Sequence, residues 1–352
     1  MKRTLSADIL TTLKNVLGDA PIGLHEPEFL GNEKKFLIDC IDTTLVSSVG
    51  PYVNRFEDEL QAYTGAKFVI ATVNGTSALH ISLILAGVEA NHEVLVPALT
   101  FVATANAVKY CGAIPHFVAS EQNTLGMDSM ALRIYLEKNT KQIDNLCINS
   151  ETGRIIKALV PMHTFGHPSE LSELSKIADD FNLFLIEDAA ESLGSFYQGK
   201  HTGTIGKIGV LSFNGNKIIT TGGGGAILTN DPELAHRAKH LTTTAKVPHA
   251  WEFIHDEVGF NYRMPNINAA VGCAQLQQLD SRLTKKRNLF EDYQEGFKKL
   301  DGVILFSEPV KSASNYWLQT IILSEENSNL RDDILQVTNY SGYGTRPAWK
   351  LI

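Results

Sequence analysis

Two ionisable residues, Asp188 and Lys217, stand just past short apolar runs of the sequence. Asp188 follows Leu183–Glu187, and Lys217 comes shortly after Gly209–Phe213. A carboxylate at the end of a buried strand needs a partner to offset its charge, and a protonated ring nitrogen would supply one. A lysine in such a place could lose its proton through desolvation and nearby cations, and would then be a nucleophilic amine. The pair therefore indicates Schiff-base chemistry.

Simpler interpretations exist for both residues. Asp188 could cap a helix or bind a metal together with Glu187, although no cluster of histidine or cysteine ligands accompanies them. A lone lysine is usually a solvated surface cation, and a glycine run such as Gly222–Gly225 is usually a flexible turn. That run is not followed by the Lys-Ser/Thr pair of a P-loop. We expect no metal site.

Other segments offer groups that could bind a phosphate or a flat ring. Gly75 and Thr76 follow the run Phe68–Thr72 and open a helical pattern, and the N-terminus of a helix binds phosphate readily. Ser212 could donate to the same phosphate. Phe101 lies just past another apolar run and could stack on an aromatic ring. Taken singly, an ordinary helix cap and a core phenylalanine explain these residues equally well.

The elements that position these residues are predicted from apolar periodicity. Helical patterns separate several short aliphatic runs between about residue 55 and residue 230, which predicts a mostly parallel sheet with right-handed crossovers. In such sheets ligands bind beyond the carboxyl ends of the strands. Pro115 makes one of the strands atypical. The seven predicted strands are Phe68–Thr72, Glu93–Val96, Ile114–Val118, Ile156–Met162, Leu183–Glu187, Gly209–Phe213 and Ala226–Thr229.

The pattern changes after Ala245, which predicts two domains. Residues 1–245 would form a large domain with an N-terminal helical arm, and residues 246–352 a smaller α+β domain. The smaller domain is predicted to hold a long helix from Pro265 to about Leu300. Strands at Val303–Phe306 and Tyr316–Leu323 and a helix at Asn329–Val337 would follow it.

The composition narrows the class of protein. The chain has 352 residues, of which 43% are hydrophobic and 20% charged, as in ordinary globular proteins. A net charge of −8 argues against nucleic-acid binding, and no apolar run is long enough to cross a membrane. The four cysteines are far apart in the sequence, which favours free thiols over disulfides or a metal site. We expect a cytoplasmic protein.

The candidate segments and their order along the chain resemble those of the nucleotide-sugar aminotransferases of the DegT/DnrJ/StrS family. The ordered set is far more specific than any single motif, and it covers nearly the whole chain. Besides the segments above, the resemblance is carried by Pro21–Leu24, Gly50–Glu57, Gly259–Met264, Asn268–Ala270 and Gln275–Leu276.

The resemblance implies fold type I of the pyridoxal phosphate-dependent transferases: an α/β protein with a mostly parallel seven-stranded sheet and a smaller α+β C-terminal domain. It implies that Lys217 binds pyridoxal 5′-phosphate covalently and shuttles the proton. Asp188 would pair with the pyridine nitrogen. The resemblance further implies that Phe101 stacks on the ring, that Gly75, Thr76 and Ser212 hold the phosphate, and that Asn261 reaches the cofactor of a partner subunit in a homodimer.

By the same resemblance, glutamate would donate the amino group to a 4-keto-6-deoxy sugar on a nucleoside diphosphate, in polysaccharide biosynthesis. The segments His163–Pro168 and Ser314–Trp317 are similar to the LegC-like branch, which implies a UDP-linked, N-acetylated sugar. His163 and Glu191 could line the site, although neither is expected to be catalytic.

Two alternatives belong to other classes of function. One is a sugar dehydratase that keeps the cofactor, although such enzymes replace the Schiff-base lysine with histidine, whereas this chain has Lys217. The other is a catalytically inactive homologue that binds or senses a nucleotide sugar. Family members usually continue some tens of residues past a segment like Arg346–Trp349. We therefore expect the smaller domain to be truncated at Ile352.

Overall fold

The computed structural model describes residues 4–352, and several of its helices begin at a capping side chain. Asn74 and Asp231 each accept a backbone N–H of the helix that follows, as N-cap residues do. The helices are α1 (Leu5–Leu17), α2 (Glu33–Asp42), α3 (Pro51–Thr64), α4 (Gly75–Leu85), α5 (Val102–Tyr110), α6 (Ser129–Asn139), α7 (Leu171–Asp180), α8 (Pro232–Thr242), α9 (Asn266–Leu276), α10 (Leu279–Phe297) and α11 (Arg331–Tyr340).

The strands follow the aliphatic runs of the sequence, since β-branched and aliphatic side chains suit a sheet covered on both faces. They are β1 (Phe68–Thr72), β2 (Glu93–Pro97), β3 (Ile114–Val118), β4 (Thr140–Ile143), β5 (Leu146–Asn149), β6 (Ile155–Leu159), β7 (Phe184–Asp188), β8 (Phe196–Tyr197), β9 (Lys200–His201), β10 (Ile208–Ser212), β11 (Gly225–Thr229), β12 (Lys246–Val247), β13 (Ile254–His255), β14 (Val303–Leu305), β15 (Ser312–Ala313) and β16 (Ile321–Leu323).

The seven predicted strands form the central sheet in the order β1-β11-β10-β7-β6-β2-β3. All neighbours are parallel except β11, which runs antiparallel to both β1 and β10. The mostly parallel sheet expected from the sequence is therefore present. A hairpin of β4 and β5, which the sequence did not predict, adds two antiparallel strands against β6. Pro115 is tolerated because β3 ends the sheet.

Helices cover both faces of this sheet, which explains why its strands lack polar alternation. Val69 and Ala71 of β1 face a cluster that includes Phe56 of α3 and Ala270 of α9. Ile70 between them faces the opposite cluster, which includes residues of α4 and α8. Successive side chains of a strand thus enter two different cores.

The C-terminal elements form a separate cluster around α10, α11 and the antiparallel pair of β14 and β16. Helix α1 belongs to it, because Ile9 and Leu13 pack with Tyr293 and Ile334. Helix α9, in contrast, packs against α2 and α3 of the large sheet domain. The boundary near residue 245 stays a prediction, but α1 contacts the small domain and α9 the large one.

Three predicted elements of the small domain differ from the structure. The long helix is interrupted near Gln278, between α9 and α10. The second strand is confined to β16, because Tyr316 has φ 47° and leaves the extended conformation. The last helix, α11, begins after a short 3₁₀ segment at Glu325–Leu330. No helix within residues 4–352 is both long and apolar enough to span a membrane.

Candidate active site

The carboxyl edge of the sheet brings most of the predicted site residues together. Strands β2, β7 and β10 point in the same direction, because the neighbours from β10 to β2 are all parallel. Strand β1 also points this way, because β11 is antiparallel both to β1 and to β10. Asp188 and Ser212 are the last residues of β7 and β10, and Gly75 and Phe101 follow the ends of β1 and β2. Lys217 lies in the loop just beyond β10.

Asp188 is buried at this edge, and both of its carboxylate oxygens are oriented by hydrogen bonds. Thr104 Oγ1 donates to Oδ2 at 2.7 Å, and the Ala190 N–H donates to Oδ1 at 3.2 Å. Burial raises the pKa of the Asp188 carboxyl above its usual value, while the hydrogen bond from Thr104 acts in the opposite direction. A cation at this carboxylate would therefore offset a desolvation penalty.

Lys217 is held between a carboxylate and an indole ring that come from other parts of the chain. Its Nζ donates to Glu191 Oε1 at 3.1 Å and lies 4.1 Å from the ring centroid of Trp317. Only 12% of the side chain is exposed. Lys217 is thus not the solvated surface cation of the simpler interpretation.

Glu191 is the acidic partner of Lys217. Burial raises the pKa of its carboxyl to about 7, with the Lys217 charge opposing the shift. The Phe165 N–H donates to its second oxygen at 2.9 Å, and Asn315 Nδ2 donates to its backbone carbonyl at 2.8 Å. A carboxyl group with this pKa can gain or lose a proton near neutral pH.

Gly75, Thr76 and Ser212 lie close together at the N-terminus of α4, which has the capacity to bind an anion. A Cβ added to Gly75 would lie 2.9 Å from Ser212 Cβ, so only glycine allows the helix end to approach β10 this closely. Thr76 and Ser212 are partly exposed, whereas Gly75 is buried. We call these three residues the phosphate cradle.

Phe101 presents an exposed aromatic ring at the end of β2, with 49% of the residue accessible. Its ring centroid lies 6.0 Å from that of Trp349, which also packs on Phe165 at 4.9 Å. The Ile352 N–H donates to the Ala98 carbonyl at 3.2 Å. The last residues of the chain therefore pack beside the loop that carries Phe101.

Asn261 lies on a segment that pairs with the end of β1, where the Val73 N–H donates to the Tyr262 carbonyl at 2.8 Å and Arg263 bridges Thr72. Asn261 is exposed, and its Oδ1 accepts two hydrogen bonds from Arg263, at 3.0 and 3.2 Å. Arg263 lines an open pocket of about 570 Å³ together with Lys246 and His249. We call Lys246, His249 and Arg263 the basic surface.

Glu187, next to Asp188, points to the other side of the strand and is already fully hydrogen-bonded. It accepts backbone N–H groups of Gly203, Ile205 and Gly206 at 2.6 to 2.7 Å, and His163 Nε2 lies 3.1 Å away. These donors lower the pKa of Glu187, against the effect of burial. These hydrogen bonds occupy both oxygens of the carboxylate that a metal site with Asp188 would need. His163 is one of the hydrogen-bond partners of Glu187.

Comparison with known proteins agrees with this geometry. The DegT/DnrJ/EryC1/StrS aminotransferase family matches residues 30–352. The chain belongs to this family. EpsN of Bacillus subtilis (strain 168) is 38% identical over 329 residues, 94% of this chain and 81% of EpsN. GDP-perosamine synthase of Caulobacter vibrioides is 36% identical over 335 residues, 95% of this chain and 86% of the synthase.

A solved structure of Helicobacter pylori PseC, an aminotransferase involved in the biosynthesis of pseudoaminic acid, superposes with a TM-score of 0.85 at 25% identity. The match covers 95% of this chain and 86% of PseC. Such neighbours are pyridoxal phosphate-dependent aminotransferases of fold type I, and the fold expected from the sequence is confirmed. The chain is an enzyme of the sugar aminotransferase class.

Two side chains that contact Lys217 were not among the site residues predicted from the sequence. Glu191 was considered only as a lining residue, although it follows Asp188 by a single turn and could have been examined as a partner for a lysine. Trp317 had drawn attention only as part of Ser314–Trp317. It lies far from Lys217 in sequence, and no local pattern links the two.

Proposed function

We propose that the chain transfers an amino group from glutamate to a nucleotide-linked 4-keto-6-deoxy sugar, with pyridoxal 5′-phosphate as its cofactor. The observation that supports this best is the position of Lys217. Its amine lies in a largely buried site 3.1 Å from Glu191, and Asp188 is buried at the same sheet edge. A protein that only binds nucleotide sugars has no chemical need for this arrangement.

The residues at this edge fit the cofactor. The phosphate cradle would hold the phosphate, and Phe101 would stack on the ring. Asp188 would pair with the protonated pyridine nitrogen, which supplies the cation that its buried carboxylate lacks. When bound, pyridoxal phosphate withdraws electrons from the carbon that gains or loses the amino group.

The chain's own side chains would then hold and move protons. Lys217 would bind the cofactor covalently and, once released, would carry a proton at Nζ to and from the reacting carbon. Glu191 accepts or returns a proton at Oε1, which its pKa of about 7 permits near neutral pH. Trp317 covers Lys217 and limits the access of water to the amine.

The basic surface around Arg263 would serve a partner subunit. In a homodimer, Asn261 would reach the cofactor phosphate of the partner. Lys246, His249 and Arg263 carry donors and positive charge suited to a diphosphate. The acceptor would then bind between two subunits.

Spectroscopy of the purified protein tests the cofactor and its anchor. With pyridoxal phosphate added, we expect a visible absorption band that borohydride abolishes, and peptide mapping should find the reduced adduct on Lys217. A matched Lys217→Ala sample is the control. Labelling of another lysine, or of none, would contradict the assignment.

The acceptor is tested by amination assays with glutamate and a panel of matched keto sugars. The resemblance to the LegC-like branch favours a UDP-linked, N-acetylated acceptor. The relative with 36% identity over 95% of this chain is a GDP-perosamine synthase, and we expect the GDP-linked 4-keto-6-deoxy sugar to react faster. Faster amination of the UDP-linked, N-acetylated sugar would restore the first expectation. Replacing glutamate by alanine or aspartate checks the donor.

A further inference from the structure

Lys286 is a partly buried lysine of α10 that makes no ion pair with an acidic group in the described part of the chain. Its Nζ lies 2.9 Å from His25 Nδ1 and donates to the Trp317 carbonyl at 3.0 Å. Burial lowers the pKa of Lys286 to about 8, so the ammonium form prevails at neutral pH. A long flexible side chain is fixed here at an energetic cost, which calls for an explanation.

His25 connects Lys286 to the loop of the catalytic lysine. Its Nε2 lies 3.2 Å from the Lys217 carbonyl, and a carbonyl oxygen can only accept, so Nε2 carries the hydrogen. Nδ1 is therefore the acceptor for the Lys286 ammonium. Burial and the nearby Lys286 charge lower the pKa of His25 to about 4, which keeps the ring neutral.

Trp317 connects Lys286 to the other side of Lys217. Its Nε1 donates to the Asn216 carbonyl at 2.6 Å, and its ring lies over Lys217 Nζ. The Lys286 ammonium thus contacts two groups that hold Lys217 in place. One is His25, which binds the Lys217 backbone carbonyl, and the other is the backbone of Trp317, whose indole covers Lys217 Nζ. His25 and Trp317 both lie outside the sheet that carries Asp188.

We propose that Lys286 is a positioning residue, whose ammonium group holds the Lys217 loop and Trp317 together and so sets where Lys217 Nζ lies. The proposal rests on the proposed role of Lys217. It assigns a role to α10, whose Lys286 acts on Lys217 through His25 and Trp317.

The neighbouring Lys285 provides a matched control. It is on the same helix, 62% of its side chain is exposed, and it pairs with Glu28 at 3.2 Å. A charge removed there tests for general effects of α10 and of net charge. Lys286→Met and Lys285→Met each remove one ammonium group from α10, but only Lys286→Met removes the contacts with His25 and Trp317.

We would compare both variants with the wild type as holoenzymes, after checking by circular dichroism and thermal melting that each one folds. In Lys286→Met we expect kcat to fall about tenfold, with a smaller change in KM, because a misplaced reacting group costs rate. The pH midpoint of the visible cofactor band should also shift, because Lys217 Nζ would no longer be held at its contacts with Glu191 and Trp317. The charged groups that remain around His25 and Lys217 are Lys217 itself, Arg282, Glu191 and Asp188. Lys285→Met should match the wild type in both measurements.

An unchanged midpoint and kcat in folded Lys286→Met would overturn the inference, as would equal changes in Lys285→Met. If Lys286→Met does not fold, His25→Gln and His25→Leu replace it. Glutamine can both donate to Lys217 and accept from Lys286, so His25→Gln should stay close to the wild type while His25→Leu loses rate and shifts the midpoint. Equal behaviour of the two would refute the proposal. Borohydride labelling of wild-type Lys217 is measured alongside, and its absence would instead reject the proposed function.

Discussion

Two regions meet at the carboxyl edge of the sheet, and they are built in different ways. The phosphate cradle consists of the end of β10 and the start of α4, which adjoin through the sheet. The surroundings of Lys217 are assembled from side chains of four separate segments, which supply His25, Glu191, Lys286 and Trp317. One region is fixed by backbone geometry and the other by long-range hydrogen bonds.

This difference predicts how each region responds to substitution. The backbone of the cradle is held by strand pairing, so a change there should act locally and mainly on affinity. The lysine surroundings depend on tertiary contacts between segments that are distant in the sequence, and their charged groups lie in a low-dielectric environment where each interaction is strong. Changes there should act on rate and on pH dependence.

Lys217→Ala separates the two regions most sharply. We expect turnover to fall by about 10²–10⁴-fold, because the variant loses covalent anchoring and the proton transfer at Nζ. The cradle should still bind the cofactor non-covalently, which equilibrium dialysis would measure. Turnover close to the wild-type value would mean that the assigned chemistry is wrong.

Asp188→Asn tests the residue that lies between the two regions. Asparagine can still accept from Thr104 but carries no charge, so we expect a loss of about 10²-fold in kcat from weaker electrostatic stabilisation. Thr104→Val is the paired variant, since it removes the 2.7 Å hydrogen bond and leaves the charge in place. The comparison fails if Thr104→Val costs as much activity as Asp188→Asn.

Gly75→Ala changes only the cradle. The added methyl group would lie 2.9 Å from Ser212 Cβ and displace it, so we expect the dissociation constant of the cofactor to rise about tenfold, or 1.4 kcal/mol. At saturating cofactor kcat should recover, because Lys217 and Glu191 are untouched. Titration of activity with pyridoxal phosphate measures both quantities, and a kcat that stays low at saturation would show that the regions are coupled.

The same contrast explains what the sequence could predict. Gly75, Asp188 and Ser212 could be predicted to lie close together because each stands at or near the end of a recognisable apolar run, and parallel strands bring their ends to one edge. The β4–β5 hairpin was missed because Thr140–Ile143 is short and mostly polar. The contact between Trp317 and Lys217 could not be predicted, because it depends on how two segments distant in the sequence pack together, and no local spacing of residues encodes that packing.

Glu191→Gln examines the lysine surroundings through stability rather than rate. The pKa of Glu191 is raised from its usual 4.5 to about 7 in the folded protein, so its protonation stabilises the fold below pH 4.5. That contribution is lost as the pH rises through 7. Urea unfolding of the cofactor-free protein should therefore show wild-type stability falling by about 1 kcal/mol more than that of Glu191→Gln between pH 6 and pH 7. If the stability of both proteins changed equally with pH, Glu191 would titrate at an ordinary pKa. The surroundings of Lys217 would then differ from the phosphate cradle only in how they are assembled, and not in the strength of their electrostatic interactions.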